Sequence, residues 1–172
     1  FSDLGAYNGD TIRELLHYTD GRFASVTALE PDRRSFRKLN EWASANITGD
    51  VTLVQAGAWN EDTVKCFTDQ AGRQSRVAGQ GKETQMRALD SVLSGRPCTY
   101  LKMDVEGAER EAIAGAEKTI RQYAPKLNIA AYHRSEDFFQ LPLLIHALQP
   151  NYRLYLRHHP YVPAWDTNLY AI

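Results

Sequence analysis

Short apolar runs alternate along this chain with segments whose apolar residues recur three or four positions apart, and this alternation limits the fold more than any other feature. Residues 1–4 make a short run bounded by apolar Phe1 and Leu4 and are followed by Ile12, Leu15 and Leu16 at helical spacing. Residues 25–29, small and β-branched, end at Glu30-Pro31, where Pro31 stops the strand and Asp32 can cap a helix carrying Phe36, Leu39 and Ala43 on one stripe. The runs 51–55, 99–105 and 127–132 repeat the buried-strand pattern. Ala108, Ala112, Ile113, Ala116 and Ile120 mark a further helix, and Leu143, Leu144, Ala147 and Leu148 mark another that starts near Pro142. Residues 152–159 and 167–172 follow with no helix between them, which predicts an antiparallel last pair on a mostly parallel, doubly wound α/β sheet. Residues 63–67 alternate weakly, 69–82 show no apolar period and read as a long loop, and 86–93 fit a short strand end and helix.

The length of 172 residues, with no repeat or linker, predicts one domain over 1–172. A chain this long buries enough surface to need no staples, so Cys66 and Cys98 read as free thiols of a reducing compartment, the cytoplasm. A formal net charge of −1 removes the electrostatic footprint of a nucleic-acid binder. No apolar run reaches the roughly 18 residues of a membrane span. The chain opens at Phe1 inside an expected strand, so residues before that strand are expected to be missing.

In a doubly wound sheet the ligand lies beyond the carboxyl ends of the strands, near the first one. There the chain reads Asp3-Leu4-Gly5-Ala6-Tyr7-Asn8-Gly9, a D-x-G-x-x-x-G turn in place of the dinucleotide fingerprint G-x-G-x-x-G. Asp3 adds an anion where a pyrophosphate binder would avoid one, which suits an ammonium or sulfonium ligand. Glu30 follows Gly9 by 21 positions, the spacing at which an acid accepts ribose hydroxyls. Arg33 and Arg34 could hold a 2′-phosphate, although a solvated helix face explains them as well. A nicotinamide-dependent oxidoreductase and a catalytically silent nucleoside-binding module therefore stand as alternatives at this point.

With DLGAYNG, ALEP, LKMDVEGAE, and the late AYHRSEDFF and YRLYLRHH, the chain resembles the FkbM family of S-adenosylmethionine-dependent methyltransferases over almost its whole length. The resemblance implies a Rossmann-like class I methyltransferase fold with a seven-stranded sheet. It also implies S-adenosylmethionine as cofactor and a hydroxyl of a small molecule, sugar or glycan as acceptor. By position, Asp3, Gly5, Asn8 and Gly9, with Ala6 and Tyr7 of the same turn, would line the methionine side. Glu30 and Pro31 would lie at the ribose, and Gln55, Ala56, Gly57 and Ala58 would flank the adenine. Tyr7 stands where a smaller residue is expected, so its ring must point outward or cover the cofactor.

A hydroxyl nucleophile must lose its proton, and the candidate bases or positioners are Asp104, Glu106, Glu109 and His133. Asp104 and His133 are expected at the ends of adjacent strands, with Asp104 also near the cofactor. Asp104, Glu106 and Glu109 offer oxygens to a divalent metal, but first-turn acids that complement a helix dipole, with Glu109, Arg110 and Glu111 as a solvated face, are the favoured account. Lys102 is expected to pair with one of these acids. Arg73, Ser75 and Arg76 of the 69–82 loop are expected to touch the acceptor, with the loop as a lid.

Overall fold

The computed structural model describes residues 1–67, 82–160 and 167–172. Its main sheet has seven strands: β1 (Ser2–Leu4), β2 (Val26–Leu29), β3 (Val51–Val54), β7 (Tyr100–Met103), β8 (Lys126–Ala130), β9 (Leu154–His158) and β10 (Thr167–Ala171). They lie in the order β3-β2-β1-β7-β8-β10-β9. All neighbours are parallel except β10, which runs antiparallel to both β8 and β9. The expected doubly wound sheet and its antiparallel last strand are thus present. The chain winds outward from β1 through β2 to β3, then returns to β1's other side at β7, so the switch point lies between β1 and β7.

Strand alternation separates two apolar layers. On β2, Val26 and Ala28 pack with Ile12 of α1 (Asp10–Tyr18) and Leu39 of α2 (Arg33–Asn46), whereas Leu29 joins the second cluster. That cluster takes Leu89 and Leu93 of α3 (Leu89–Leu93), Ile113 of α4 (Glu109–Ala114) and Ile120 of α5 (Glu117–Tyr123). It also takes Leu141, Ile145 and Leu148, one stripe of α6 (Asp137–Leu148). Asp32 caps α2 as expected, accepting from the amides of Arg34 and Ser35 at 3.0 and 2.8 Å.

Three elements differ from the sequence expectation. A second sheet, ordered β4-β6-β5, is built from β4 (Gly57–Ala58), β5 (Thr63–Phe67) and β6 (Lys82–Arg87). The single helix expected over 108–120 is two, α4 and α5, parted at Gly115, where a Cβ would stand 1.9 Å from the Trp59 carbonyl oxygen. Finally, α6 starts at Asp137 and carries Pro142 inside it, where the missing N–H removes one helical hydrogen bond. Cys66 and Cys98 are free, and no described helix is long and apolar enough to cross a membrane.

Candidate active site

The carboxyl end of β1 is a turn held from below. Gly5 and Ala6 donate to the Leu29 carbonyl at 3.0 Å, and Lys102 of the neighbouring β7 donates to the Gly5 carbonyl at 2.8 Å. Gly5 has φ 81°, and a Cβ there would lie 1.8 Å from the Asp104 carbonyl oxygen, so only glycine lets these two strand ends meet. Asp3 sits opposite Lys102 in register and is fully buried, with Oδ1 3.1 Å from Nζ. Burial raises the Asp3 carboxyl while Lys102 pulls it down. Burial also works against the Lys102 charge, but Asp3 and Asp104 outweigh it and raise that ammonium. The partner expected for Lys102 among the acids of 104–109 is therefore Asp3, and Asp3 acts on the turn from beneath.

Of the rest of the turn, Tyr7 and Asn8 reach the surface. Ala6 is buried, Gly9 opens α1, and Asn8 accepts from Arg13 at 3.3 Å. Tyr7 is half exposed at φ 47°, a conformation that costs a non-glycine residue about 1 kcal/mol. Its amide donates to Glu30 Oε2 at 2.8 Å, and the Asp32 amide donates to Glu30 Oε1 at 2.8 Å. Each carboxylate oxygen so keeps a free lone pair. Burial pushes the Glu30 carboxyl up to about 7, against the pull of these two amides. Beyond it a cleft of about 250 Å³ opens between exposed Pro31, Gln55 and the β6 residues Glu83, Thr84 and Gln85. Ala56, Gly57 and Ala58 are buried behind this cleft, the last two paired with β6. A buried carboxylate thus stands beside a strained turn and an open cleft. Arg33 and Arg34 are exposed on α2.

Across the switch point, the ends of β7 and β8 bring the expected acids and histidine together. His133 Nε2 lies 3.5 Å from Asp104 Oδ1 and 3.4 Å from Glu106 Oε2, and Nδ1 lies 2.9 Å from Glu109 Oε1. Asp104 and Glu106 expose 37% and 34% of their side chains, whereas Glu109 exposes 0%. Glu109 is thus no part of a solvated face: it is sealed at the head of α4, and its Oε1 also accepts from the Val105 amide at 3.1 Å. Burial works against the His133 charge, but hydrogen bonds to Glu106 and Glu109 and the charges of Glu109 and Asp104 push the imidazole up to about 10. Burial raises Asp104, partly offset by Lys102 and His133. Glu106 holds φ 55°, a second strained non-glycine residue in the site.

Sequence reasoning missed two members of this cluster. The Tyr132 hydroxyl donates to Asp104 Oδ1 at 3.2 Å, and its ring lies 4.3 Å from that of His133. Asp137 is buried at the start of α6, and burial with the Glu109 charge raises its carboxyl to about 6. A neighbour one or four positions from the candidate base His133 was the available signal. Asp104, Glu109 and His133 offer ligand atoms within 4.8 Å of one another, enough for a divalent cation, although Glu109 Oε1 is already engaged by Val105 and His133. Arg73, Ser75, Arg76 and the lid lie outside the described residues.

The methyltransferase FkbM domain family matches residues 3–163. None of the curated proteins matches the chain. Among solved structures, the methyltransferase FkbM from Methylobacillus flagellatus KT is 31% identical with a TM-score of 0.82, over 99% of this chain and 42% of that one. The chain therefore spans less than half the length of this relative. An rRNA methylase from Streptococcus thermophilus (14% identity, TM-score 0.63, 99% of this chain and 83% of that one) shares the fold. So does Aeropyrum pernix fibrillarin with natively bound S-adenosyl-L-methionine (14% identity, TM-score 0.61, 99% and 65%). The family match over nearly the whole chain and the close likeness of the first structure agree with the site's own geometry: the chain belongs to the FkbM methyltransferase family.

Proposed function

We infer that the protein is an S-adenosylmethionine-dependent O-methyltransferase acting on a hydroxyl of a small molecule, sugar or glycan. The observation that carries this reading is the meeting, at one switch point, of the Glu30 and Tyr7 turn with the Asp104, Glu106 and His133 cluster. Glu30 and Pro31 hold the ribose, Gln55, Ala56, Gly57 and Ala58 border the base, and Gly5, Ala6, Tyr7, Asn8 and Gly9 shape the methionine end, with Asp3 beneath. S-adenosylmethionine, when bound, supplies an electrophilic methyl group on sulfur.

The chain's own residues supply position and a proton acceptor. His133, pushed up to about 10, already carries its proton at neutral pH and orients the acids. The acceptor hydroxyl proton goes to a carboxylate, Asp104 or Glu106, and burial raises Asp104 towards the range useful for a general base. Arg73, Ser75 and Arg76 hold the acceptor. A net charge of −1 gives no general footprint for nucleic acid, which favours a small polyhydroxylated acceptor over RNA.

The test is release of S-adenosylhomocysteine from S-adenosylmethionine against panels of sugars, glycans, small alcohols and RNA oligomers, with and without EDTA. Turnover on a hydroxylated small molecule that survives EDTA is expected, and Asp104→Asn should slow it about 10²-fold or more. Turnover on RNA alone, or a rate slowed by neither Asp104→Asn nor Glu106→Gln, overturns the assignment.

A further inference from the structure

We propose that Glu109 is a positioning residue for the transfer: buried at the head of α4, its carboxylate holds the His133 ring by Nδ1 and so directs Nε2 at Asp104 and Glu106. The proposal rests on the methyl-transfer reading and adds to it a residue that touches neither cofactor nor acceptor.

A carboxylate with no exposed side-chain surface is costly unless an opposite charge or several donors face it. Glu109 Oε1 has two, the Val105 amide at 3.1 Å and His133 Nδ1 at 2.9 Å, while Oε2 has no hydrogen-bond partner among the described residues. The acid therefore depends on His133 bearing a proton at Nδ1. An imidazole fixed at one nitrogen has only the other to offer, and Nε2 points at the two carboxylates that reach the surface, 3.5 and 3.4 Å away. Glu106 itself is held at φ 55°, so one of these two carboxylates stands on strained backbone. The same arrangement of a buried acid behind an imidazole sets tautomer and orientation in hydrolytic triads.

The charged groups around His133 come from three elements. Asp104, Glu106 and Glu109 face it from the end of β7 and the head of α4, with Lys102 acting on Asp104. Arg134 follows it after β8, and from α6 Asp137 lies within reach of Glu109, its charge opposed by Arg134 and Arg110. Removing the Glu109 charge takes away the one fully buried anion bonded to the ring among the described residues.

Imidazole proton–nitrogen correlation spectra of the labelled protein test this, with the His133 signals assigned by their loss in His133→Gln. In the wild type both ring nitrogens should remain protonated from about pH 6 to about pH 8, with Nδ1–H protected from exchange with water. In Glu109→Gln, which keeps the side-chain volume, the protection of Nδ1–H should be lost and its proton and nitrogen signals should move. Calorimetric affinity for S-adenosylhomocysteine should stay within about threefold, because Glu109 does not touch that ligand. A wild-type His133 whose Nδ1 carries no proton, or whose Nδ1–H exchanges freely with water, overturns the proposal without any variant, and so do identical spectra in Glu109→Gln or a parallel loss of cofactor affinity. Failure of the wild type to bind S-adenosylhomocysteine overturns the transfer reading, a result read apart from the ring spectra.

Discussion

At Gly5 the chain turns at φ 81°, and the carbonyl oxygen of Asp104 occupies the place where a side chain would begin. Gly5→Ala must both hold a left-handed conformation and push the end of β7 away, a cost of about 2–5 kcal/mol. Urea denaturation should show this loss, and affinity for S-adenosylhomocysteine should drop at least about tenfold because the Asp104 and Glu30 ends of the site separate. Glu30 gives the second residue-scale prediction. Its carboxyl is raised from 4.5 to about 7 by burial, so protonation favours the folded chain, and Glu30 adds stability as pH falls from 7 towards 4.5. Ribose hydroxyls need the anion. Cofactor affinity should therefore weaken below about pH 7, by up to roughly tenfold per pH unit. Calorimetry in two buffers of different ionisation enthalpy should detect proton release on binding, absent in Glu30→Gln. No release in the wild type would remove Glu30 from the ribose.

Among the elements, those that bury apolar side chains at a regular period were legible in the sequence. The strands β1, β2, β3, β7 and β8 and the final antiparallel pair follow from such runs, and Asp32 marks the head of α2. The second sheet was not legible: of Glu83, Thr84, Gln85 and Met86 on β6, only Met86 is buried, and backbone pairing with β4 and β5 makes the strand. An apolar stripe continues across Gly115, and the break there comes from the Trp59 carbonyl, 56 positions earlier, a contact local sequence does not announce. The head of α6 misleads in the same way, since Phe139 is exposed and Asp137 buried. In the site, Glu30, Asp104 and His133 were readable from strand ends, but the sealed Glu109 was not, because its partner His133 is 24 residues away. The end of α5 carries a prediction of its own. Exposed Ala124 holds φ 42° there, where glycine is favoured. Ala124→Gly should stabilise the protein by about 1 kcal/mol and raise Tm by about 2–4 °C in calorimetry. An unchanged or lower Tm would mean that the lost chain entropy of glycine outweighs the relieved strain.

The whole sheet divides at the switch point into a half that carries Glu30, Pro31 and Gln55, the proposed nucleoside determinants, and a half that carries Asp104, Glu106 and His133. A ligand that binds only when both halves are folded stabilises the molecule by RT ln(1 + [L]/Kd), about 2.7 kcal/mol at one hundred times Kd. For a chain of this length that corresponds to a Tm rise of roughly 5–10 °C. S-adenosylmethionine and S-adenosylhomocysteine should each produce this rise, because in the proposed site Glu30 and the turn meet the nucleoside and amino-acid parts common to both. NAD and NADP should produce none, since the turn lacks the third glycine of the dinucleotide fingerprint and Lys102 at its end, tied to Asp3 and the Gly5 carbonyl, is not free to meet a pyrophosphate. The rise should persist in EDTA, as the Glu30 contacts use no metal. A shift with NAD alone would turn the same fold towards hydride transfer. A shift with the sulfur compounds that vanishes in EDTA would instead place a cation among Asp104, Glu109 and His133, whose ligand atoms already lie within 4.8 Å.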